Sequence, residues 1–315
     1  MRREQTRIAC IGGVDVDTKA RVKAPAVRGT SNPVTATSCT GGVAGNVARN
    51  LARLGCEVEL FSIVGEDSAG EGIRRELIEL GIGTASLAAS KEQPTASYTA
   101  VLEPGGQLYI GLANMEIFEE LTPKWADGIA EQLARCGMWI LDTNLPGATI
   151  ERLLRVYRRN ATVLADPISV AKSEKLQGLL DAVDVIFPNE KEAAVLSGRK
   201  AGTREEIEEA AREMVRRGAR TVVVTLGAEG VYVADAKDGR FVGAVPPECV
   251  RDVTGAGDAL VAGYALGLVT GEEEPVQAAL SAASIALETE ESVSTEMTRE
   301  NLRERIENHR KRAGS

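Results

Sequence analysis

Short runs rich in Val, Ile and Thr alternate with amphipathic stretches along most of the chain. The runs at residues 7–13, 58–64, 138–142, 162–166, 183–187, 221–225 and 231–235 read as strands. Residues 43–54 place Val43, Val47, Leu51 and Leu54 at helical spacing, and residues 71–80, 124–136, 150–159 and 204–217 follow the same period. Residues 259–268 form a further apolar helical run. This alternation predicts an α/β fold, with a central, mostly parallel sheet and helices on both faces. Such sheets bind ligands beyond the carboxyl ends of their strands.

Two early stretches break the alternation. Residues 14–40 are rich in Thr, Val, Ser and Pro and have no helical period. Residues 95–113 read as a hairpin, with strands at 97–102 and 107–112 around Glu103-Pro-Gly-Gly106. The two could pair as a small separate β-sheet, acting as a lid, a dimer surface or both, or they could be edge strands of the main sheet. The expected organisation is one domain over residues 1–315, with the lid inserted in the α/β core. The acidic run Glu272–Glu274 reads as a solvated helix start.

Composition removes several classes of function. The 315 residues are 43% hydrophobic and 26% charged, which suits a globular chain with an ample core. A formal net charge of −9 argues against general binding to nucleic acid or a membrane surface. Aromatic residues make up 3%, too few for a stacking platform for single strands. No apolar run approaches the roughly 20 residues of a membrane span. The charged N-terminus reads as the approach to a first strand rather than a signal peptide. Five scattered cysteines without a Cys-x-x-Cys suggest buried free thiols and a cytoplasmic setting. The single histidine, His309, lies in the basic tail, so Ser-His-Asp and Cys-His mechanisms and His-rich zinc sites have no internal histidine to use.

The most informative segment is Asp252-Val-Thr-Gly-Ala-Gly-Asp258, just before the apolar helix. Bare backbone at Gly255 and Gly257 lets successive N–H groups converge on an anion, and Asp258 adds a carboxylate beside it. An anion cradle with an adjacent base is what phosphoryl transfer to a hydroxyl requires. The plainer alternative is a glycine-rich turn with Asp258 as helix N-cap. In Thr40-Gly-Gly-Val-Ala-Gly-Asn46, Gly41 and Gly42 precede a helix and Asn46 offers a donor and acceptors, suiting a hydroxyl-rich sugar or close packing alone. Asp15 and Asp17 share one strand face, as hydroxyl acceptors, metal ligands or turn formers. Asn189 and Glu192 stand three apart at a helix start, which suits a water-rich Mg²⁺ site or a capping box. Thr225-Leu-Gly-Ala-Glu-Gly230 could meet nucleotide phosphates or merely join two strands. Neither a P-loop nor Gly-x-Gly-x-x-Gly after the first strand is present, against a P-loop kinase and a nicotinamide dehydrogenase.

Together these segments resemble the PfkB/ribokinase family of carbohydrate and nucleoside kinases. Gly41-Gly-Val-Ala-Gly-Asn46 looks like its N-terminal signature and Asp252-Val-Thr-Gly-Ala-Gly-Asp258 like its C-terminal one. Asn189-x-x-Glu192 and Thr225-x-Gly-x-x-Gly230 lie in order between them, so the resemblance covers nearly the whole chain. Within the family it runs closest to the members acting on the nucleoside pseudouridine. The carrying residues are Ser97-Tyr98, Asn114-Met115, Leu141-Asp-Thr-Asn144 and Ala165-Asp-Pro-Ile-Ser169 with Lys172.

The resemblance implies a ribokinase-like fold and an ATP-dependent kinase acting on a 5′-hydroxyl. Asp258 would be the base, with Gly255, Ala256 and Gly257 as the anion hole. Asp15, Asp17, Gly41, Gly42 and Asn46 would hold the sugar, while Thr40, Ser97, Tyr98 and Asn114 would read the base; Tyr98 could instead be lid core. Asn189, Thr225, Gly227 and Gly230, with Gly255 and Gly257, would bind ATP, and Asn189 and Glu192 would organise Mg²⁺. Asp252 and Thr254 match positions of a monovalent-cation site, which could take K⁺. There Val253 replaces a commoner Thr, and residues 288–295 lack an expected glycine. The family pattern also implies a homodimer through the lid. Rival readings are another sugar or nucleoside kinase (ribokinase or adenosine kinase among them), or a nucleoside-binding protein without catalysis.

Overall fold

The computed structural model describes residues 6–271 and 273–313. In chain order the first half runs β1 (Ile8–Ile11), β2 (Asp15–Val22), β3 (Val34–Gly41), α1 (Val43–Arg53), β4 (Val58–Gly65), α2 (Ser68–Glu79) and β5 (Leu87–Ser90). It continues with β6 (Ser97–Leu102), β7 (Leu108–Asn114), α3 (Pro123–Gly128), α4 (Ala130–Leu133), β8 (Met138–Asp142) and α5 (Gly147–Arg152). The second half runs β9 (Thr162–Asp166), α6 (Val170–Ser173), β10 (Val185–Ile186), α7 (Glu190–Ser197), α8 (Arg204–Arg216), β11 (Thr221–Thr225), β12 (Val231–Asp235) and β13 (Gly239–Val242). Helices α9 (Ala256–Thr270), α10 (Pro275–Ala286) and α11 (Arg299–Ala313) close the chain.

Nine strands form one sheet in the order β13-β12-β11-β10-β9-β8-β1-β4-β5, with every pairing parallel except the two that flank β12, the one reversed strand. Successive side chains alternate between two cores. Ile8, Cys10, Met138, Ile140 and Val223 pack on one face with Val47 and Leu51 of α1 and Leu260 and Val261 of α9. Ala9, Ile11, Trp139, Leu141, Val222 and Val224 pack on the other with Leu196 of α7 and Ile207 and Met214 of α8. Burial on both faces is why these strands read as continuous apolar runs.

The stretches at 14–40 and 95–113 pair with each other, so they are not edge strands of the main sheet. They form a four-stranded sheet, β3-β2-β6-β7, in which β2 and β6 run parallel. Its registers set Asp17 beside Cys39 and Tyr98 on one side, and Thr40, Val16, Ser97 and Asn114 in one row on the other.

Several expected elements are cut short. The 183–187 strand shrinks to Val185–Ile186. The 124–136 helix breaks after Gly128, a poor helix former, into α3 and α4. The 150–159 helix begins earlier, at Gly147, and ends in a wide π turn over Leu153–Tyr157. Of the acidic run, Glu272 lies outside the described residues; Glu274 caps α10, its carboxylate accepting from the Gln277 N–H at 2.9 Å. Residues 1–5 of the charged N-terminus also lie outside them. All five cysteines are free, but only Cys10 and Cys136 are buried; Cys249 is exposed. No helix among the described residues is long and apolar enough to cross a membrane.

Candidate active site

The parallel strands β1, β8, β9, β10 and β11 end at one edge of the large sheet. The N-termini of α1 and α9 meet there. Asp258 is the third residue of α9 and 9% exposed; its Oδ2 accepts from Asn46 Nδ2 on α1 at 2.8 Å. Asn46 Oδ1 in turn accepts from the Arg49 guanidinium at 3.1 Å, which also donates to the Thr40 carbonyl at 2.9 Å and to Glu76 at 3.0 Å. Burial pushes the Asp258 carboxyl well above the usual range, and the charges of Asp166 and Asp142 push the same way; the Asn46 hydrogen bond opposes them. A carboxylate with a raised pKa is a competent proton acceptor near neutral pH.

Asp258 is not the N-cap. Gly255 takes that position with φ 79°, and a Cβ there would lie 2.2 Å from the Ser292 carbonyl oxygen, so only glycine fits. The first amide answered inside the helix is that of Ala259, on the Gly255 carbonyl at 2.9 Å. The Ala256 N–H reaches the Val253 carbonyl only at 3.4 Å. The amides of Ala256, Gly257 and Asp258 are therefore the helix's anion-seeking donors.

Asp15 and Asp17 lie within β2 rather than in a turn. Their carboxylates crowd Gly41 on β3, where a Cβ would come within 2.2 Å of Asp17 Oδ2 and 2.6 Å of Asp15 Oδ1. Asp15 is 5% exposed and its Oδ1 is buried without a hydrogen-bond partner. Burial, then Asp17 and Asp142, push its carboxyl to about 7 against the pull of Lys172 and Arg49. An unanswered buried acceptor is suited to the O–H of an alcohol.

Other expected groups separate. Tyr98 shares the face of Asp17, with its hydroxyl over Gly111 of β7. Thr40, Ser97 and Asn114 occupy the opposite face, and the Thr40 hydroxyl is committed to Glu76. The four do not converge on one ligand surface. Asn189 and Glu192 form a capping box at the start of α7, with Asn189 N to Glu192 Oε2 at 2.9 Å and Glu192 N to Asn189 Oδ1 at 3.0 Å. Glu192 is 4% exposed, and burial raises its pKa. Thr225 ends β11 and donates its N–H to the Pro188 carbonyl at 2.9 Å, holding Asn189 beside it. Gly227 and Gly230 shape the connection to β12. Asp252 Oδ1 accepts from the Thr254 N–H at 2.9 Å and the Thr254 hydroxyl at 2.8 Å, and its Oδ2 binds Lys19 of β2. No cluster of three acidic, His or Cys ligands occurs among the described residues.

Two central residues carried no role in the sequence reading. Asp142, at the end of β8 and 1% exposed, accepts from Gly13 N at 2.8 Å, Ala44 N at 3.0 Å and Asn144 N at 2.8 Å. It caps α1 from a distance, because Gly42 at the N-cap has no side chain. Asp166, at the end of β9, is pushed to about 7 by burial and by Glu192 and Asp142. The available signal was a carboxylate ending each of two apolar runs, at the sheet edge where ligands bind.

Comparison with known proteins bears on the fold and the family. The chain is 28% identical to pseudouridine kinase of Escherichia coli (strain K12) over 308 residues, 97% of this chain and 98% of that one. A carbohydrate kinase structure from Agrobacterium tumefaciens, 29% identical, superposes with a TM-score of 0.83 over 96% of this chain and 97% of its own. Ribokinase of Arabidopsis thaliana, in complex with ribose and ATP, has the same fold at 22% identity, with a TM-score of 0.85 over 96% and 99% of the two chains. Residues 5–299 match the pfkB family carbohydrate kinase domain. The chain belongs to the pfkB family of carbohydrate kinases.

Proposed function

We propose that this kinase transfers the γ-phosphoryl group of ATP to the 5′-hydroxyl of pseudouridine, giving pseudouridine 5′-phosphate and ADP. The observation that carries the chemistry is Asp258, buried and elevated in pKa, beside the first amides of α9, which no carbonyl of the helix itself answers. Asp258 accepts the hydroxyl proton as the alcohol oxygen bonds to the γ-phosphorus and the bond to the ADP oxygen breaks. The amides of Ala256, Gly257 and Asp258 face the charge on the transferring group. Asp15, Asp17, Gly41 and Gly42 offer the acceptors and the space for sugar hydroxyls, and Asn46 orients Asp258. Tyr98 is the one proposed base contact that shares their face of the small sheet.

Asn189, Thr225, Gly227 and Gly230 line the strand ends where ATP would lie. Mg²⁺ asks for one or two protein carboxylates and otherwise keeps water and phosphate oxygens. Buried Glu192, with Asn189 beside it and Asp166 nearby in charge, fits that demand and would bring neutralising charge to the phosphates. The small sheet supplies the cover that keeps water from the γ-phosphate. Its outer side exposes Val34, Ile110 and Leu112, at 41%, 46% and 53%, and this apolar stripe supports a homodimer through the sheet.

The test is ADP release with a panel of pseudouridine, uridine, adenosine and ribose. Pseudouridine should give the highest kcat/KM, and Asp258→Asn should cut its turnover by about 10²–10⁴-fold with KM changed far less. Preference for ribose or adenosine would transfer the proposal to another acceptor. Near-normal turnover of Asp258→Asn would remove the base.

A further inference from the structure

Lys19 lies two residues beyond Asp17 on β2, on the same face of the small sheet. Its ammonium crosses to the other end of the sequence. It binds Asp252 Oδ2 and reaches the Glu290 carbonyl oxygen at 3.3 Å, with the Lys19 and Asp252 side chains only 28% and 22% exposed. The other Asp252 oxygen fixes the Thr254 N–H and hydroxyl, and the next residue is Gly255, N-cap of the catalytic helix. The loop that supplies Glu290 also presses its Ser292 carbonyl against Gly255. Ser292 Oγ lies 3.4 Å from Cys39 Sγ on β3, and Cys39 pairs with Asp17. Three segments distant in sequence thus meet around one positive charge.

A carboxylate, a main-chain carbonyl and a nearby hydroxyl are oxygen donors that could hold a monovalent cation. Here both Asp252 oxygens are committed, one of them to Lys19. A free ion would have to sit beside a like charge, which costs energy in a partly buried setting. The donor set therefore does not fit a free K⁺. We infer that the Lys19 ammonium is a tethered cation that positions the 252–255 turn, so the amide cradle is ordered without a free monovalent ion. Because Lys19 rides on β2, this charge reaches the turn only with the small sheet in place. Lys19 is a positioning residue, acting on the cradle through Asp252 and Thr254.

The kinetic half of the test rests on the kinase reading; the melting half does not. Wild type and Lys19→Met are compared in KCl and in choline chloride at equal ionic strength. Wild-type turnover and melting temperature should be the same in both salts, within about twofold and 1 °C. Lys19→Met should lose roughly tenfold or more in choline, regain several-fold in KCl, and melt about 2 °C or more higher in KCl as an ion enters the vacated position. Lys19→Arg, which keeps the charge, should remain indifferent to the salt.

Three results overturn the inference: wild type activated more than about fivefold by K⁺, Lys19→Met with full turnover in choline, or Lys19→Met that K⁺ neither stabilises nor activates. If Lys19→Met does not fold, the wild-type comparison and Lys19→Gln decide on the same criteria. A chain that phosphorylates nothing in the panel refutes the kinase reading, and the melting comparison still decides this one.

Discussion

Removing the Asp142 carboxylate should damage fold and site together, in a graded order. Its two oxygens answer three main-chain N–H groups at 2.8, 3.0 and 2.8 Å, and the residue is 1% exposed. Asp142→Asn keeps the shape but only one acceptor oxygen. That oxygen can serve Gly13 and Ala44, which share Oδ2, while the new NH₂ group faces the Asn144 N–H. One buried donor left unanswered costs about 1–3 kcal/mol. Asp142→Ala leaves three donors unanswered and removes the charge at the start of α1, so its loss should be at least about twice as large, roughly 3–6 kcal/mol after relaxation. That is a large share of the roughly 5–15 kcal/mol that separates a typical folded domain from its unfolded chain. The assay is urea unfolding followed by the fluorescence of Trp139, which is buried three residues earlier on the same strand. Because Ala44 and Gly13 flank the residues proposed to hold the sugar, KM should rise in the same order. If Asp142→Ala is no less stable than Asp142→Asn, or either costs nothing measurable, the carboxylate does not cap α1 as described.

Three further outcomes follow from the site's electrostatics and backbone. Asp258 must be ionised to act as base and its pKa is raised, so the acid limb of kcat should lie well above the ordinary carboxylate value of about 3.9. Asp166→Asn removes a charge that raises it and should move the limb to lower pH, while Asn46→Ala removes a hydrogen bond that lowers it and should move the limb up; a pH–rate series in which the two shift the same way refutes the assignment. The same raised pKa means that the folded state holds a proton the unfolded chain has released. Stability therefore falls as pH rises from the unfolded to the folded value, and Asp258→Asn should melt above wild type at neutral pH. Gly255→Ala should lower kcat more than it raises KM and cost about 1–3 kcal/mol, because its φ of 79° and the Ser292 carbonyl both oppose a side chain; unchanged turnover would mean the cradle is not where phosphate charge gathers.

The large sheet was legible because its strands are buried on both faces and so stand out as unbroken apolar runs. Both glycine-rich helix starts were legible because bare backbone before an apolar helix is rare without a reason. The roles of Asp142 and Asp166 were not, although both lie in segments that carried the resemblance, because an acid ending an apolar run looks the same as a residue opening a loop. Arg49 carries no signal of its own in the sequence, and only the fold sets it against Asn46 and Thr40. The contact of Lys19 with Asp252 joins residues 233 apart and leaves no local trace. The split of Ser97 from Tyr98 could have been foreseen, since adjacent strand residues point to opposite sides. At Gly128 the apolar period ran on through a residue whose helix propensity is poor, and the period hid the break.

The division of labour between the two sheets bears on how such an enzyme can change. Asp258 and Asn46 are anchored on α9 and α1, whose neighbours fill a shared interior, so the end with the proposed proton acceptor tolerates little alteration. Strands β6 and β7, which carry the proposed base contact Tyr98 and its partner strand, are half-buried or open to solvent throughout. Surface replacements commonly shift stability by no more than about 0.5 kcal/mol. A lineage could therefore exchange one alcohol for another by editing those two strands, while the machinery that moves phosphate stays untouched.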